Sequence, residues 1–255
     1  MAKRKRGLKK RGYYKFNKGT LILLVGVILL ITALLLIQFI GAVSLLINLR
    51  LISYILIYLG VITHLIFSGD KPFFKSWKYI KETRNFIYFS ILIFFIFALV
   101  GFVFPNFFRQ EIMDFITELL DKTQNLNQFE LIKFIFLNNL QSSFMGLIFG
   151  IFFGIFPMLI LIINGYLLGV VSSMSVTAGG FSVLWKLVPH GIFELIAVFI
   201  SLGMGIKIGA FVFQKNKSIY IKYNLYNSLR VFILIIIPLL IIAAIIEGTL
   251  ITFFG

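Results

Sequence analysis

The segment Pro189-His190-Gly191-Ile192-Phe193-Glu194 brings two ionisable side chains into an otherwise apolar stretch of the chain. His190 and Glu194 are four positions apart, so on a helix they lie on one face. Pro189 suits the first position of such a helix, because its missing N–H would have no partner there. Ionisable groups are costly in the hydrocarbon of a bilayer, where they mark pairing or function. A histidine and a glutamate at this spacing could therefore pair with each other or hold an ion, a proton or a lipid headgroup.

The elements that must position these residues are membrane-spanning helices. Hydrophobic residues make up 60% of the 255 positions and the mean hydropathy is +1.03, whereas soluble domains are about half apolar. Runs without Asp, Glu, Lys or Arg cover residues 19–49, 51–69, 85–108 and 134–185. A span needs about 20 residues, and these runs lack the alternation that a β-barrel shows. The sequence therefore predicts an all-α, polytopic transmembrane helical bundle.

The net charge of +15 is distributed in a way that indicates topology. Nine of the 24 basic residues lie in 3–18, five in 71–84 and five in 207–230, whereas the connection 105–130 is acidic. Basic loops on one side of the membrane and an acidic loop on the other follow the positive-inside rule. We therefore predict a plasma-membrane protein with a cytoplasmic N-terminus, whose basic residues 3–18 contact anionic lipids rather than nucleic acid.

About seven helices fit this charge pattern, with the C-terminus outside. The predicted spans are 20–40, 51–68, 86–104, two within 134–185, 189–213 and 230–252. The two spans within 134–185 are expected to separate near Gly154 to Pro157, since the residue before a proline disfavours helix.

The predicted helices divide the chain into three parts. They are a polybasic N-terminus (1–18), two additional transmembrane helices (19–70) and a five-helix core (75–255). Within the core, the segment 106–130 has apolar residues at helical spacing, which predicts an external amphipathic helix.

Two rows of small residues predict close helix contacts. Gly146, Gly150 and Gly154 are spaced four apart on the fourth span, and a second row on the sixth consists of Gly203, Gly205 and Gly209. Small residues let helix backbones approach closely in a membrane. The rows indicate either tight packing within the bundle or a homodimer face.

The topology places several polar side chains at one depth of the membrane. In the outer third of the fourth, sixth and seventh spans we expect Asn138, Asn139, Ser142, His190, Glu194 and Glu247, with Asn164 nearer the middle of the fifth span. One interpretation is a hydrogen-bonded network that fixes helix packing, with the glutamates protonated or paired to His190. A second is a functional polar cavity, and a third is a metal-dependent hydrolase.

Enzyme signatures are otherwise missing from the sequence. The metalloprotease helix pattern needs two histidines flanking a glutamate, and His64, the only other histidine, belongs to a different predicted helix. Cysteine is absent, and we find neither a nucleophile elbow nor a phosphate-binding glycine loop. We therefore expect no catalytic residues, no metal and no cofactor.

Several segments of the chain resemble one family. They are Trp77-Lys78-Tyr79-Ile80-Lys81-Glu82, Asn138-Asn139 through Gly154, Asn164-Gly165, Pro189-His190-Gly191 with Glu194, and Pro238-Leu239-Leu240 with Ala243-Ala244 and Glu247. Together they are similar to stage II sporulation protein M and its wider bacterial and archaeal relatives, over about 75–255. The resemblance covers the five-helix core, and the first two helices look like an addition to it.

The resemblance implies a function without catalysis. In spore formers the namesake holds cell-wall-degrading partners at the engulfing septum, so the family implies a membrane scaffold or assembly factor. The expected partners are the lipid bilayer and unidentified membrane or extracytoplasmic proteins, with a homo-oligomer as a further candidate. The alternative is a channel or transporter that uses the polar cluster.

Overall fold

A computed structural model of the chain describes Ile22, Val27, Ser53 and residues 55–63, 71–180 and 184–254, with the backbone alone for 184–191 and Phe254. The chain divides into two units, Met1–Pro72 and Phe73–Gly255. In the first unit residues 55–63 are helical and lie within the predicted second span. The rest of that span, His64, the predicted first span apart from Ile22 and Val27, and residues 1–18 lie outside the described residues.

The second unit is built from helices alone over the part that the structure describes. In chain order they are α1 (Pro72–Val103), α2 (Arg109–Thr123), α3 (Gln128–Ile148), α4 (Ile155–Gly179), α5 (Leu184–Gly209), α6 (Lys217–Val231) and α7 (Ile237–Phe254). Short 3-10 segments follow α3 and α5, and a π-helical segment, Phe232–Ile236, joins α6 to α7 without a break.

Five helical stretches of the described chain are long and apolar enough to cross a membrane. They are Pro72–Val103, Gln128–Ile151, Ile155–Gly179, Ile192–Phe213 and Lys217–Phe253. They correspond to the five spans predicted for the core, and the prediction of an all-α membrane bundle is confirmed.

Four of the predicted helix starts are too late, and one of them is that of α3, which begins at Gln128 rather than near Phe134. α1 begins at Pro72 rather than near Phe86, and the helix that leads into α7 begins at Lys217 rather than near Arg230. A charged residue marks the edge of an apolar stretch, but the backbone hydrogen bonds of a helix do not require apolar surroundings and continue beyond it. α5 begins at Leu184, so Pro189 is the sixth helical residue rather than the first, and it lacks the N–H that would bond to the Trp185 carbonyl.

α5 is the central helix of the unit. Its residues from Ser201 to Gly209 are all buried, and it packs closely with α3 and α7, which also pack on each other. A helix that is apolar on every side belongs in the interior of a bundle, where neighbours cover all of its faces. Two hydroxyl groups add polar contacts, since Ser201 donates to the Ser143 carbonyl (2.8 Å) and Ser90 to the Phe199 carbonyl (3.1 Å).

Glycine sets the distance between α5 and the helix pair α3–α4. A Cβ atom at Gly150 would lie 2.2 Å from the Gly205 carbonyl oxygen, and one at Gly209 would lie 2.1 Å from the Gly154 nitrogen. Gly205 and Gly209 of the second row therefore pack against the first row within one chain, as the first of the two interpretations predicted, whereas Gly203 faces Ile87 of α1. Gly154 also has φ +72° and ends the turn after α3, where the sequence indicated the reversal.

α2 is the predicted amphipathic helix, shorter than the segment 106–130. Ile112 and Ile116 pack on Tyr166 and Val170, and the Phe108 ring meets the Tyr166 ring edge to face. The acidic side chains of α2 are exposed: Glu111, Asp114, Glu118 and Asp121. Lys122 hydrogen-bonds to Glu118 and holds the pKa of that carboxyl group below its usual range. α2 thus rests on the bundle by one face and presents an acidic face outward.

Candidate functional site

The two glutamates of the predicted cluster lie against each other. The Glu194 side chain of α5 interacts with the Glu247 carboxyl group of α7 and with the Asn139 amide of α3. Two carboxylates this close would repel each other, so the arrangement is more favourable when one of them carries a proton. These contacts join the three helices that pack most closely in the unit.

A cavity of about 580 Å³ opens beside this pair, between α1, α3, α4 and α5. Its apolar wall includes Phe94, Phe95, Leu168 and Val198. Its polar side chains are Asn138, Asn139, Ser142, Asn164, Ser172 and Glu194. We refer to these six residues and the space between them as the polar cavity. It has the size of a small-molecule site, with a few polar groups on an apolar wall.

Most of the sequence-predicted site residues therefore meet in one place. Asn138, Asn139, Ser142, Asn164 and Glu194 line the polar cavity, and Glu247 contacts Glu194 from behind it. The Asn164 amide donates to the Ile160 carbonyl at 2.8 Å and also borders a second, largely apolar cavity of about 520 Å³ beneath α2.

His190 differs from the other predicted site residues. Its backbone lies in α5, four residues before Glu194, but its side chain lies outside the described part of the chain. Its pairing with a glutamate stays a prediction. The Glu194 contacts that the structure gives are with Glu247 and Asn139 instead.

A second polar network, which the sequence did not indicate, joins α1 to α6. The Tyr79 hydroxyl lies 2.9 Å from the Asn224 Oδ1 atom and 3.1 Å from the Ser228 Oγ atom, and all three side chains are buried. Nearer the surface, the Tyr223 hydroxyl donates to a Glu82 oxygen at 3.1 Å. We call this region, formed by Pro72–Arg84, Lys207 and α6, the basic end.

Two cations are buried in the basic end. Lys207, 8% exposed, places its Nζ atom 4.2 Å from the centre of the Tyr79 ring and donates to the Thr83 hydroxyl at 3.1 Å. Arg230, also 8% exposed, donates to Asn227 at 2.6 Å and lies near the Tyr226 ring. Aromatic rings and hydroxyl or amide oxygens thus receive both charges.

One signal in the sequence could have revealed this network. Tyr220, Asn224, Asn227 and Ser228 recur at intervals of three and four, which places them on one helix face. The composition of this segment indicates only positive charge, and hydropathy does not predict a helix outside the membrane. Within the described residues, no group of three or more His, Asp or Glu side chains has an arrangement that could hold a metal.

The comparison with protein families agrees with this architecture. A model of the family "Stage II sporulation protein M" matches residues 90–251, well over half of the chain. The chain belongs to this family. Neither a curated protein nor a solved structure matches it. The match to the stage II sporulation protein M family begins at Ser90, so the polar cavity falls inside it, whereas Trp77–Glu82, quoted above for the resemblance, precedes it.

Proposed function

We propose that this chain is a non-enzymatic membrane scaffold, a multi-pass assembly factor that recruits or organises partner proteins at the plasma membrane. The observation that carries the proposal is the attachment of α2. An apolar face seats this helix on the bundle through Ile112 and Ile116, and its four carboxylates stay exposed. A helix held in this way offers a fixed, negatively charged surface to a partner.

The contacts of the carboxyl pair support the same function. Glu194, Glu247 and Asn139 belong to three different helices, so their contacts join α3, α5 and α7. A fully connected polar network in a low-dielectric interior fixes one arrangement of helices. Such rigidity suits a protein that positions others.

The proposal predicts that partner binding depends on the exposed carboxylates of α2 and not on the buried carboxyl group of Glu247. We expect Asp114→Lys combined with Asp121→Lys to lower the amount of co-purified partner at least tenfold in mild detergent, because a basic partner surface would then be repelled. Glu247→Gln keeps shape and hydrogen bonding, so it should retain its partners and complement a deletion strain. Mass spectrometry of the co-purified proteins measures the first effect. An unchanged partner set in the α2 variant would contradict the proposal.

The polar cavity favours one alternative, a channel or transporter. A permeation path needs chargeable, hydrated groups that bind an ion and release it. If Glu247→Gln stays folded and bound to its partners but abolishes complementation, with a matching loss of ion or proton flux in liposomes, the alternative is correct and the scaffold proposal is wrong.

A further inference from the structure

α1 is longer than the hydrocarbon layer that it crosses. Its 32 residues span about 48 Å as a helix, whereas the hydrocarbon core of a bilayer is about 30 Å thick. Asn85–Val103 has no charged residue and fills most of that core, so Pro72–Arg84 reaches into the headgroup layer and beyond it.

One face of this extension is basic and exposed. Lys78, Lys81 and Arg84 follow at intervals of three, all exposed, and Trp77 lies beside them with 56% of its surface accessible. The Lys81 ammonium group lies 5.9 Å from the Trp77 ring centre. The opposite face, with Tyr79 and Thr83, packs into the basic end, so the basic face is turned away from the bundle.

Among the described residues, no acidic side chain forms an ion pair with Lys78, Lys81 or Arg84. Glu82 is the only acidic residue in α1, and its carboxylate accepts a hydrogen bond from Tyr223 of α6. Within the part of the chain that the structure describes, these three positive charges therefore have no acidic partner and can bind an external anion.

The same helix face continues as an apolar row. Tyr88, Leu92, Phe95 and Leu99 follow Arg84 at intervals of three and four, and all four are exposed. A row of this kind meets acyl chains in a bilayer, and its tyrosine lies where aromatic side chains accumulate at the membrane interface.

We propose that this face of α1 binds an anionic lipid. Lys78, Lys81 and Arg84 hold its phosphate, and its acyl chain lies along the apolar row. Basic side chains beside the bilayer attract anionic lipids, and the continuous row fixes where the chain must lie. The basic part precedes the family match, and the proposal does not depend on the scaffold function.

Lipid selectivity at α1 can be measured by fluorescence quenching. The chain has two tryptophans, so Trp77→Phe, Trp185→Phe and Tyr88→Trp give a single reporter beside Arg84. In bilayers that mix phosphatidylcholine with phosphatidylglycerol, we expect the brominated anionic lipid to bind about fivefold more tightly than the brominated neutral one. Adding Lys81→Gln and Arg84→Gln to the reporter chain should bring the ratio of anionic to neutral lipid binding close to one. In the reporter chain without these two substitutions, 0.5 M NaCl should lower the same ratio.

A matched control removes the same charge elsewhere. Lys215→Gln with Lys217→Gln lies at the start of α6, about 20 Å along the helix from Arg230, and should leave the ratio unchanged. Equal loss in both double variants would reduce the effect to net charge and overturn the proposal. A ratio near one in the reporter chain would overturn it too, and would point to an acidic protein partner.

If the single-tryptophan chain does not fold, the proposal is tested instead by the amount of anionic lipid that stays bound during purification. Wild type and both double variants, purified from the same mixed bilayers, are compared by mass spectrometry for phosphatidylglycerol retained per protein. We expect a fall of about fivefold only for Lys81→Gln with Arg84→Gln. Equal retention in all three proteins contradicts the proposal.

Discussion

The polar cavity and the basic end use buried polar side chains in opposite ways. At the basic end the hydroxyl and amide groups of Tyr79, Asn224 and Ser228 are buried and bonded to one another. In the polar cavity the amides and Glu194 line about 580 Å³ of space. The difference shows that the polar content of a membrane helix does not identify a site. What matters is whether the polar groups face each other or face a space that a ligand could enter.

Both regions depend on the position of α5. The largest loss of stability should therefore come from a substitution that forces α5 away from α3. Gly150→Ala places a Cβ atom 2.2 Å from the Gly205 carbonyl oxygen, and two backbones must move apart. We expect the free energy of unfolding to fall by about 2–3 kcal/mol, as in overpacked cores. Thermal unfolding in detergent, followed by circular dichroism, measures it.

Gly146→Ala is the matched control in α3, four residues before Gly150. Its Cβ atom would first meet the tip of the Leu202 side chain, which can rotate away. A smaller loss than for Gly150→Ala is expected. Equal losses would mean that backbone contact is not what sets the distance between α3 and α5.

A loss of stability of intermediate size is expected when the buried network of the basic end is broken, whereas an exposed site should show almost none. Tyr79→Phe removes the hydroxyl group that bonds to Asn224 and Ser228 and leaves both groups buried with fewer partners. We expect unfolding to become easier by about 1–3 kcal/mol. Tyr88→Phe, at an exposed site on the same helix, should change stability by less than about 0.5 kcal/mol. A small effect at Tyr79 would show that the network is not needed to join α1 and α6.

The smallest effect should come from the carboxyl pair of the polar cavity. Glu194→Gln and Glu247→Gln each keep a hydrogen-bonding group in place, so each single variant should change little. Because the two side chains touch, the double variant should differ from the sum of the single ones by about 1 kcal/mol. A double-mutant cycle of unfolding measurements tests this, and strict additivity would mean that the two groups do not interact.

The sequence predicted the membrane class and the five core spans, and it singled out five of the six polar residues that line the polar cavity. Long runs without charge require spans, and the positive-inside rule orders them, so residues as far apart as Asn139 and Glu247 could be assigned one depth. The same reasoning missed the basic end. Hydropathy marks only the part of a helix that crosses the hydrocarbon layer. α1 and α6 continue as helices beyond their apolar stretches, so hydropathy does not predict these extensions.

The two glycine rows show where sequence reasoning reaches its limit. Their spacing predicted close approach but left open whether the partner was another copy or another helix. The structure pairs Gly150 with Gly205 and Gly154 with Gly209 in one chain. Pairing of this kind depends on how helices rotate and cross, which a linear pattern does not specify.

The sequence by itself thus determined that this chain lies in a membrane and which family it resembles, and it predicted a common depth for its polar residues. Transfer from water to hydrocarbon depends on the composition of each segment, so this information is local. Only the tertiary structure decided which polar groups touch. It placed Glu194 against Glu247 and Asn139, packed Tyr79 against α6, and left one face of α1 exposed. Those contacts depend on helix rotation, which packing among all the helices sets together.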